Sequence, residues 1–493
     1  MEHTHTNPTA IDRNRMFSAI DIGTTKIVAL TGYTNSAGKI IVLGHGIVQS
    51  KNFNINKETE NLCSDTIRQS ICDAVETARR EAGSFCEKVV VGVAGRFMRS
   101  YQNRIEFTRT IPYESISKEE LERQCEQKIN DLALPGEEIL DVRKLQYCVD
   151  GQFYAQAPVG RTGSVVSLNV GIIKVKSNFL NQLRAVIESC NLQVEEFMFE
   201  PLASGAAVLS ESDRHKGCTI IDIGGGTTDM AIYENGSLQF AEVIAFGGNS
   251  ITNDIRQECI SKSIDGGAIN YASDDWKVAE ALKVKHGKCI YNESIDKQQL
   301  TITYGEARKT VTVSICEVAR VIHCRVSEIL DSIHSLIDYS GCVKAAKREI
   351  ILTGGGSELK DLAFLCEQKL QCAVRVAGPQ NIICSSHFDC TQPRYATVVG
   401  LLMQAAKIHA QHYVAPKMEE KKLPELEELI ETLTPVSSAP KIEAKAVQTK
   451  PEPKKETTKR PSLFSKMTIK IGQTVGEFAG NVFADTNDDN EIK

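Results

Sequence analysis

The apolar positions of this chain fall into short runs that end at small polar residues, a pattern typical of buried strands joined by tight turns. The run Met16–Ile20 leads into Asp21-Ile-Gly-Thr-Thr-Lys26, and the run Cys218–Ile221 leads into Asp222-Ile-Gly-Gly-Gly-Thr-Thr-Asp229. A second apolar run follows each turn. The first copy alone is equally well explained as an ordinary hairpin turn. Its repetition, with three consecutive glycines, favours a shared function for the two turns.

The two turns carry no bulky side chains, so their backbone N–H groups can approach an anion closely. Threonine hydroxyls add further donors. Two such turns that face each other would hold a polyphosphate from both sides. The predicted phosphate-binding residues are Gly23, Thr24, Thr25, Lys26, Gly224, Gly225, Gly226, Thr227 and Thr228.

An aspartate stands at the end of the strand before each turn. Mg²⁺ usually binds through few carboxylates and keeps several of its waters. We therefore expect Asp21 and Asp222 to hold a Mg²⁺ ion through its waters beside the phosphates.

A third glycine-rich element follows the apolar stretch 349–353, which reads as a strand. Its turn contains Gly354, Gly355 and Gly356, and a helix is predicted over 358–371 with Ser357 as its N-cap. A strand, a glycine turn and a helix in this order would let a flat adenosine lie on bare backbone.

These three elements, in this order, resemble the nucleotide-binding fold shared by actin, sugar kinases and the heat-shock chaperone ATPases, over roughly residues 17–407. The resemblance implies that ATP is the nucleotide. It also implies that Glu200, in Glu-Pro-Leu-Ala, orients the attacking water. Further nucleotide-binding residues implied by the resemblance are Gly248, Asn249, Glu280 and Lys283. Taken alone, the last two would read as solvated residues on a helix.

The position of an inserted subdomain distinguishes branches of this superfamily. Only a short segment separates the strand predicted at 39–49 from the helix predicted at 60–81, which leaves no room for an insertion there. A longer stretch, 88–163, has its own strands and a helix over 118–131. An insertion at this point resembles the bacterial cell-division actin homologue FtsA. The implied fold is α/β and two-lobed, with an FtsA-type insertion in the first lobe.

The order of elements predicts the following divisions: a disordered tail at 1–15, a first lobe at 16–87 and 164–208, the insertion at 88–163, a second lobe at 209–255 and 335–409, its insertion at 256–334, a disordered linker at 410–460, an amphipathic membrane helix at 461–484 and an acidic tail at 485–493. Within the linker, Pro424–Leu433 has leucines at helical spacing, which is typical of a transient helix or of a partner-binding motif.

Composition agrees with a soluble globular protein, with 42% hydrophobic and 24% charged residues. The net charge of −6 argues against nucleic acid as a partner. The 16 cysteines are scattered and form no zinc-binding spacing. No signal peptide is recognisable, so we expect reduced thiols in a cytoplasmic protein.

The C-terminal segment is apolar on one side. Its residues recur at spacings of three and four and cover an arc of about 80° in a helix. They are Phe464, Met467, Ile471, Val475, Phe478 and Val482, with Lys466 and Lys470 on the polar face. This pattern predicts a helix lying in the interface of an anionic membrane. A helix that docks on the protein body and a strand over 467–471 are the alternatives.

The resemblance implies a protein that binds ATP, hydrolyses it slowly if at all, polymerises, tethers FtsZ filaments to the cytoplasmic face of the inner membrane and recruits later division proteins. The alternatives are a type IV pilus platform protein and a metabolic kinase of the sugar-kinase type. A kinase would need an aspartate base beside a sugar pocket, and none can be singled out.

Overall fold

The computed structural model describes residues 15–50, 65–95, 98–154, 156–261, 273–293, 297–306, 308–385 and 387–412. Its strands are β1 (Met16–Ile22), β2 (Lys26–Thr34), β3 (Ile40–Gln49), β4 (Lys88–Val93), β5 (Met98–Thr108), β6 (Glu137–Val149), β7 (Gln152–Tyr154), β8 (Val165–Lys176), β9 (Gln193–Phe199), β10 (Cys218–Ile223), β11 (Thr228–Glu234), β12 (Ser237–Ile244), β13 (Gln299–Tyr304), β14 (Lys309–Ser314), β15 (Ile350–Thr353), β16 (Val374–Val376) and β17 (Ile382–Ile383).

The α-helices are α1 (Asp65–Ala82), α2 (Lys118–Asn130), α3 (Ser177–Glu188), α4 (Glu200–Val208), α5 (Glu211–Lys216), α6 (Gly248–Ile255), α7 (Asp274–His286), α8 (Ile315–Tyr339), α9 (Val343–Ala346), α10 (Leu362–Leu370) and α11 (Ala396–His412). The tail at 1–14, nearly all of the predicted linker, the predicted membrane helix at 461–484 and the acidic tail lie outside the described residues.

The two lobes repeat one sheet topology. The first sheet has the order β17-β3-β2-β1-β4-β9 and the second has the order β12-β11-β10-β15-β16. In each, an antiparallel meander (β1-β2-β3 and β10-β11-β12) is extended by a strand parallel to its first member. The central strands are apolar along their whole length because both faces of each sheet are covered. The α/β two-lobed prediction is therefore confirmed.

The inserted subdomain is a separate four-stranded sheet, β5-β8-β6-β7, with its own apolar core. Helix α2 covers it, and the buried Arg109 pairs with Glu120 on that helix. Two predicted boundaries are wrong. The strand at 88–93 belongs to the first lobe, where it runs parallel to β1, and the strand at 165–176 belongs to the insertion, where it pairs with β5 and β6.

The end of the folded body also returns to the first lobe, rather than staying in the second as predicted for 335–409. β17 pairs with β3, and α11 packs on β1, β2 and α4. The α11–α4 crossing is close, because a Cβ added at Gly400 would lie 1.8 Å from the carbonyl oxygen of Ala203. Helices α4 and α11 therefore form one packed unit that runs between the lobes.

Two cysteine pairs are disulfide-bonded, Cys72 with Cys190 and Cys384 with Cys390. These four cysteines depart from the expectation of reduced thiols. Cys72 on α1 and Cys190 after α3 are 118 residues apart, so spacing alone could not show their pairing, whereas Cys384 and Cys390 are only 6 residues apart. No helix within the described ranges has the length and apolar composition needed to cross a membrane.

The close α4–α11 crossing predicts that Gly400→Ala destabilises the protein. Alanine ordinarily stabilises a helix by about 1 kcal/mol relative to glycine. Here the added methyl group meets backbone, and overpacking of this kind costs about 1–3 kcal/mol. We expect a melting temperature lower by several degrees in differential scanning calorimetry.

The matched control for Gly400→Ala is Ala410→Val, at an exposed position on the same helix. It should cost at most about 0.7 kcal/mol, the ordinary difference in helix propensity. A Gly400→Ala protein that melts at or above the wild-type temperature would show that α4 and α11 can separate freely at this crossing.

Candidate functional site

The two predicted hairpins form and have the same geometry. Asp21 pairs with Val28 across the first, and Asp222 pairs with Asp229 across the second. Each turn is closed by one backbone hydrogen bond. Gly23 N–H donates to the Lys26 carbonyl at 3.0 Å, and Gly224 N–H donates to the Thr227 carbonyl at 2.9 Å.

The two turns face each other across the cleft between the lobes. A Cβ added at Gly225 would lie 1.8 Å from Thr25 Oγ1, and one added at Gly226 would lie 2.5 Å from Thr24 Oγ1. No side chain fits at these positions, so bare backbone is a requirement of the arrangement. The sequence-distant residues predicted to bind phosphate are therefore neighbours in the fold.

Neighbouring residues donate hydrogen bonds to the backbone carbonyls of the two phosphate turns. Ser50 binds the first turn twice, by its N–H to the Thr25 carbonyl at 2.9 Å and by its hydroxyl to the Gly23 carbonyl at 2.7 Å. Gly248 and Asn249, at the start of α6, donate their N–H groups to the carbonyls of Gly224 and Gly225. These two predicted binding residues thus brace the second turn, and Ser50 was missed because nothing in its local sequence marks it.

Four carboxylic acids are gathered where the hairpins meet. Asp21, Asp222 and Asp229 are buried, and Glu200 begins α4 beside them. Burial raises the pKa of all four, and mutual repulsion adds to it for Asp21, Asp229 and Glu200. The pKa of Asp21 rises to about 7, mainly through burial, with Lys26 opposing the shift and Asp222 adding to it.

Lys26 is the cation nearest to these acids. Burial lowers its pKa to about 8, although Asp21 favours its charged form. Its Nζ donates to the Arg394 carbonyl at 2.8 Å and lies 4.2 Å from the centroid of the Tyr395 ring. One lysine with a depressed pKa cannot balance four neighbouring carboxylates, so the cluster favours a further cation.

Asp222 is oriented by residues that the sequence did not single out. Its Oδ2 accepts hydrogen bonds from the Ser204 hydroxyl on α4 and, at 3.0 Å, from the Thr397 hydroxyl on α11. A Cβ added at Gly354, whose φ is +80°, would lie 2.1 Å from Asp222 Oδ1. The packed pair α4–α11 therefore holds the carboxylate, while the glycine turn closes over it.

The residues predicted to contact the ribose and base form a connected group. Lys283 lies 2.7 Å from Glu280 and donates to the Gly248 carbonyl at 3.0 Å and to Thr252 Oγ1 at 2.7 Å. The Thr252 hydroxyl in turn donates to Glu280. Burial lowers the pKa of Lys283, with Glu280 opposing the shift. The group ties α7 to the start of α6, the helix that braces the second turn.

The glycine turn after β15 differs from the prediction in one respect. Gly355–Glu358 form a 3-10 turn, and α10 begins only at Leu362, so Ser357 is not an N-cap. Its buried hydroxyl donates instead to the Gly354 carbonyl at 2.7 Å. A Cβ added at Gly356 would lie 2.3 Å from the Ile223 side chain, whereas one at Gly355 would meet nothing closer than 3.7 Å. Gly355 is therefore the open position of the turn.

The carboxylate cluster fits a hydrated Mg²⁺ ion. Asp229 Oδ1 is buried and has no hydrogen-bond partner among the described residues. Within the described ranges, no group of three or more histidine, cysteine or acidic side chains has the spacing to hold a metal directly. A buried carboxylate oxygen without a partner can accept a hydrogen bond from a metal-bound water, the mode of binding expected for Asp21 and Asp222.

Comparisons with known proteins show which family this chain resembles. A family model described as "Cell division protein FtsA" matches residues 219–400. The chain is 30% identical over 397 residues to the cell division protein FtsA of Neisseria meningitidis serogroup B, over 80% of this chain and 91% of that protein. It is 26% identical over 408 residues to that of Escherichia coli K12, over 81% and 92%.

Among solved structures, the chain is similar to a PilM-PilN type IV pilus biogenesis complex, with a TM-score of 0.56 and 13% identity over 79% of this chain and 98% of that chain. At that identity the likeness concerns the fold alone.

The raised pKa of Asp21 predicts that ligand-free protein loses stability as pH rises. Its folded-state pKa of about 7 lies above the ordinary 3.8, so between these values the folded protein binds more protons than the unfolded chain. The contribution of Asp21 to the free energy of unfolding is fully present below pH 3.8 and is lost as the pH rises through its folded-state pKa of about 7. Calorimetry should show the melting temperature falling across this window, with a shallower slope for Asp21→Asn.

The control for Asp21→Asn is Asp338→Asn, an exposed acid on α8, which should keep the wild-type slope. The titration of Lys26, near pH 8, lies above the window and does not interfere. Identical slopes for wild type and Asp21→Asn would contradict the assignment of a raised pKa to this aspartate.

Proposed function

The chain belongs to the FtsA family of cell-division proteins, and on that basis we propose that it binds ATP with Mg²⁺, polymerises, and tethers FtsZ filaments to the cytoplasmic face of the inner membrane at the division site. The observation that carries the nucleotide part is the pair of facing hairpins around a buried carboxylate cluster. That arrangement presents backbone N–H groups and a cation-binding surface to one polyphosphate.

In this proposal the two turns, which touch each other in the ligand-free structure, move apart to admit the phosphates between them, and Lys26 and the threonine hydroxyls contact the phosphates. Asp21 and Asp222 hold Mg²⁺ through its waters, and the ion neutralises phosphate charge. The adenosine lies along Gly354–Gly356, with Glu280 and Lys283 on the opposite wall. The bound nucleotide would contact both lobes and set their relative orientation.

Glu200 is the residue proposed to orient a water for hydrolysis. It stands at the start of α4 with Pro201 next to it, and a Cβ added at Gly92 would lie 3.2 Å from its Cγ. Burial and the neighbouring aspartates raise its pKa well above the ordinary value. A protonated carboxylic acid is a poor proton acceptor, so the ligand-free site is not prepared for chemistry. Slow turnover at most is consistent with a structural role for the nucleotide.

The other parts of the proposal concern partners. FtsZ would bind the second-lobe insertion at 256–334, the chain would form filaments with copies of itself, and later division proteins would be recruited. The segment 461–484 would bind an anionic membrane through the apolar stripe that includes Phe478. The acidic net charge supports a protein without nucleic-acid partners.

Neither alternative is favoured by a specific observation. The fold likeness to the pilus complex is shared by proteins of different functions. A sugar-kinase function would need a general base beside a sugar pocket, and the buried acids described here are assigned to the proposed metal and phosphate site.

The nucleotide assignment predicts graded results for two substitutions at one position. Gly355→Ala adds a methyl group where the nearest protein atom is 3.7 Å away, so folding should be unchanged and ATP binding should weaken far less than with a charged side chain. Gly355→Glu introduces a carboxylate where adenosine is proposed to lie, beside Glu358, and should weaken Mg-ATP binding at least ten-fold in isothermal titration calorimetry. Equal affinities of the two variants for Mg-ATP would show that the adenosine does not lie on this turn.

The membrane and FtsZ assignments can be tested together by flotation with vesicles that contain anionic phospholipid. Full-length protein should carry purified FtsZ to the vesicle fraction. Phe478→Glu places a charge in the middle of the predicted apolar arc and should abolish flotation of both proteins, because desolvating a carboxylate adds to the lost apolar contact. ATP affinity should stay unchanged.

The control for Phe478→Glu is Ile469→Glu. In a helix this position lies off the arc, whereas in a strand it shares a face with Met467 and Ile471. Full flotation of Ile469→Glu is expected for the helix. Loss of flotation in both variants would contradict the helix and favour a strand. If the protein floats but does not carry FtsZ with it, the tethering role is contradicted.

A further inference from the structure

A cavity of about 410 Å³ lies where the first lobe, the inserted sheet and the second lobe meet. Strands β6 and β9, helices α4, α5 and α11, and strands β11 and β12 contribute to its wall. The first lobe, the inserted sheet and the second lobe therefore all contribute residues to the wall of this cavity. The volume lies within the range of about 300–1,000 Å³ that is usual for small-molecule sites.

Helix α4 separates this cavity from the carboxylate cluster. Glu200 and Ser204 face the cluster, and Leu202 and Ala206 line the cavity. At about 100° per residue, the two pairs lie on opposite sides of the helix. The cavity is therefore directly behind the helix that orients Asp222.

The cavity wall has an excess of positive charge. It contains four basic residues, Arg143, Lys144, Arg214 and Lys407, against two acids, Asp141 and Glu196. Glu196 already accepts hydrogen bonds from Gln404. Asp141 lies 3.2 Å from Arg143 Nε. The remaining positive charge has no anion within the described part of the chain.

Both arginines also have unused hydrogen-bond donors. Arg143 Nη2 and Arg214 Nε are buried and have no acceptor among the described residues. Lys144 and Lys407, which also line the cavity, are exposed residues. Buried donors without acceptors are costly, so an anion that enters this space would be stabilised by charge and by hydrogen bonds after small side-chain movements.

The wall also has an apolar part, beside the polar groups of Tyr233, Ser237 and Gln404. Leu140, Leu202 and Leu238 line it together with Phe197. An inorganic ion would leave this surface unused. A ligand with one anionic group and a compact apolar body would match both parts of the wall.

We propose that this cavity is a binding site for a small organic anion, and that its occupancy is coupled to the nucleotide cleft through α4. The coupling rests on the proposed ATP function, whereas the binding does not. Because the cavity and the cleft lie on opposite sides of α4, a shift of this helix changes the shape of both. Mg-ATP and the anion should therefore change each other's affinity by the same factor.

The test uses full-length protein and the fluorescent anion 8-anilinonaphthalene-1-sulfonate. Wild-type protein should bind one probe molecule saturably. The double variant Lys144→Gln/Lys407→Gln, at exposed positions, should bind it at least ten-fold more weakly. The matched control, Lys118→Gln/Lys344→Gln, removes two exposed lysines from other surfaces and should bind as wild type does.

Equal probe affinities of the two double variants, or no saturable binding by wild type, would overturn the site. A second titration with saturating Mg-ATP tests the coupling. A probe affinity that changes to a new constant value at saturating Mg-ATP is expected. Complete displacement of the probe by Mg-ATP would locate it in the nucleotide cleft, and an unchanged affinity would refute the coupling. If the protein binds no ATP, the first titration still decides whether the anion site exists.

Discussion

The structure depends on four carboxylic acids that share one desolvated space with a single lysine. Asp21, Asp222, Asp229 and Glu200 all have raised pKa values, because burial disfavours their charged forms and, for all but Asp222, repulsion between the acids adds to the shift. A protein gains nothing in stability from such a cluster. The arrangement is understandable if a cation with its own negative ligand completes it, and Mg²⁺ with a polyphosphate has that chemistry. The glycine turns serve the same requirement, since only bare backbone lets the two hairpins approach.

Helix α4 connects this electrostatic centre to the rest of the molecule. One side of the helix carries Glu200 and the Asp222-binding Ser204, and the other side lines a basic cavity shared by three subdomains. Helix α11 packs on it so closely that Gly400 has no room for a side chain. A change in lobe orientation must therefore move α4 and α11 together. Both the cleft and the cavity would respond, which is the physical basis for coupling between them.

Local sequence predicted the parts of the fold that local chemistry determines. The two hairpins, the α/β class and the helix beginning at Lys118 follow from apolar periodicity, turn glycines and caps. The predictions that were wrong concern features that depend on contacts between residues far apart in the sequence. An apolar strand such as β4 reads the same in either sheet, and only its alignment with β1 decides where it belongs. Ser204 and Thr397 were missed for the same reason, since their role exists only when α4 and α11 meet Asp222. Ser357 is a residue type that favours the N-cap position, but its hydroxyl donates to the Gly354 carbonyl within the buried glycine turn.

The central claim is that the acids hold protons that a magnesium nucleotide replaces. Isothermal titration of Mg-ATP in buffers of different ionisation enthalpy measures the protons exchanged on binding. Since the pKa of Asp21 is about 7 in the ligand-free protein, and a bound cation would lower it, binding should release protons into the buffer below that pH, with the number falling as the pH rises past it. Binding with no proton release, or with proton uptake, at a pH below the Asp21 pKa would contradict the account.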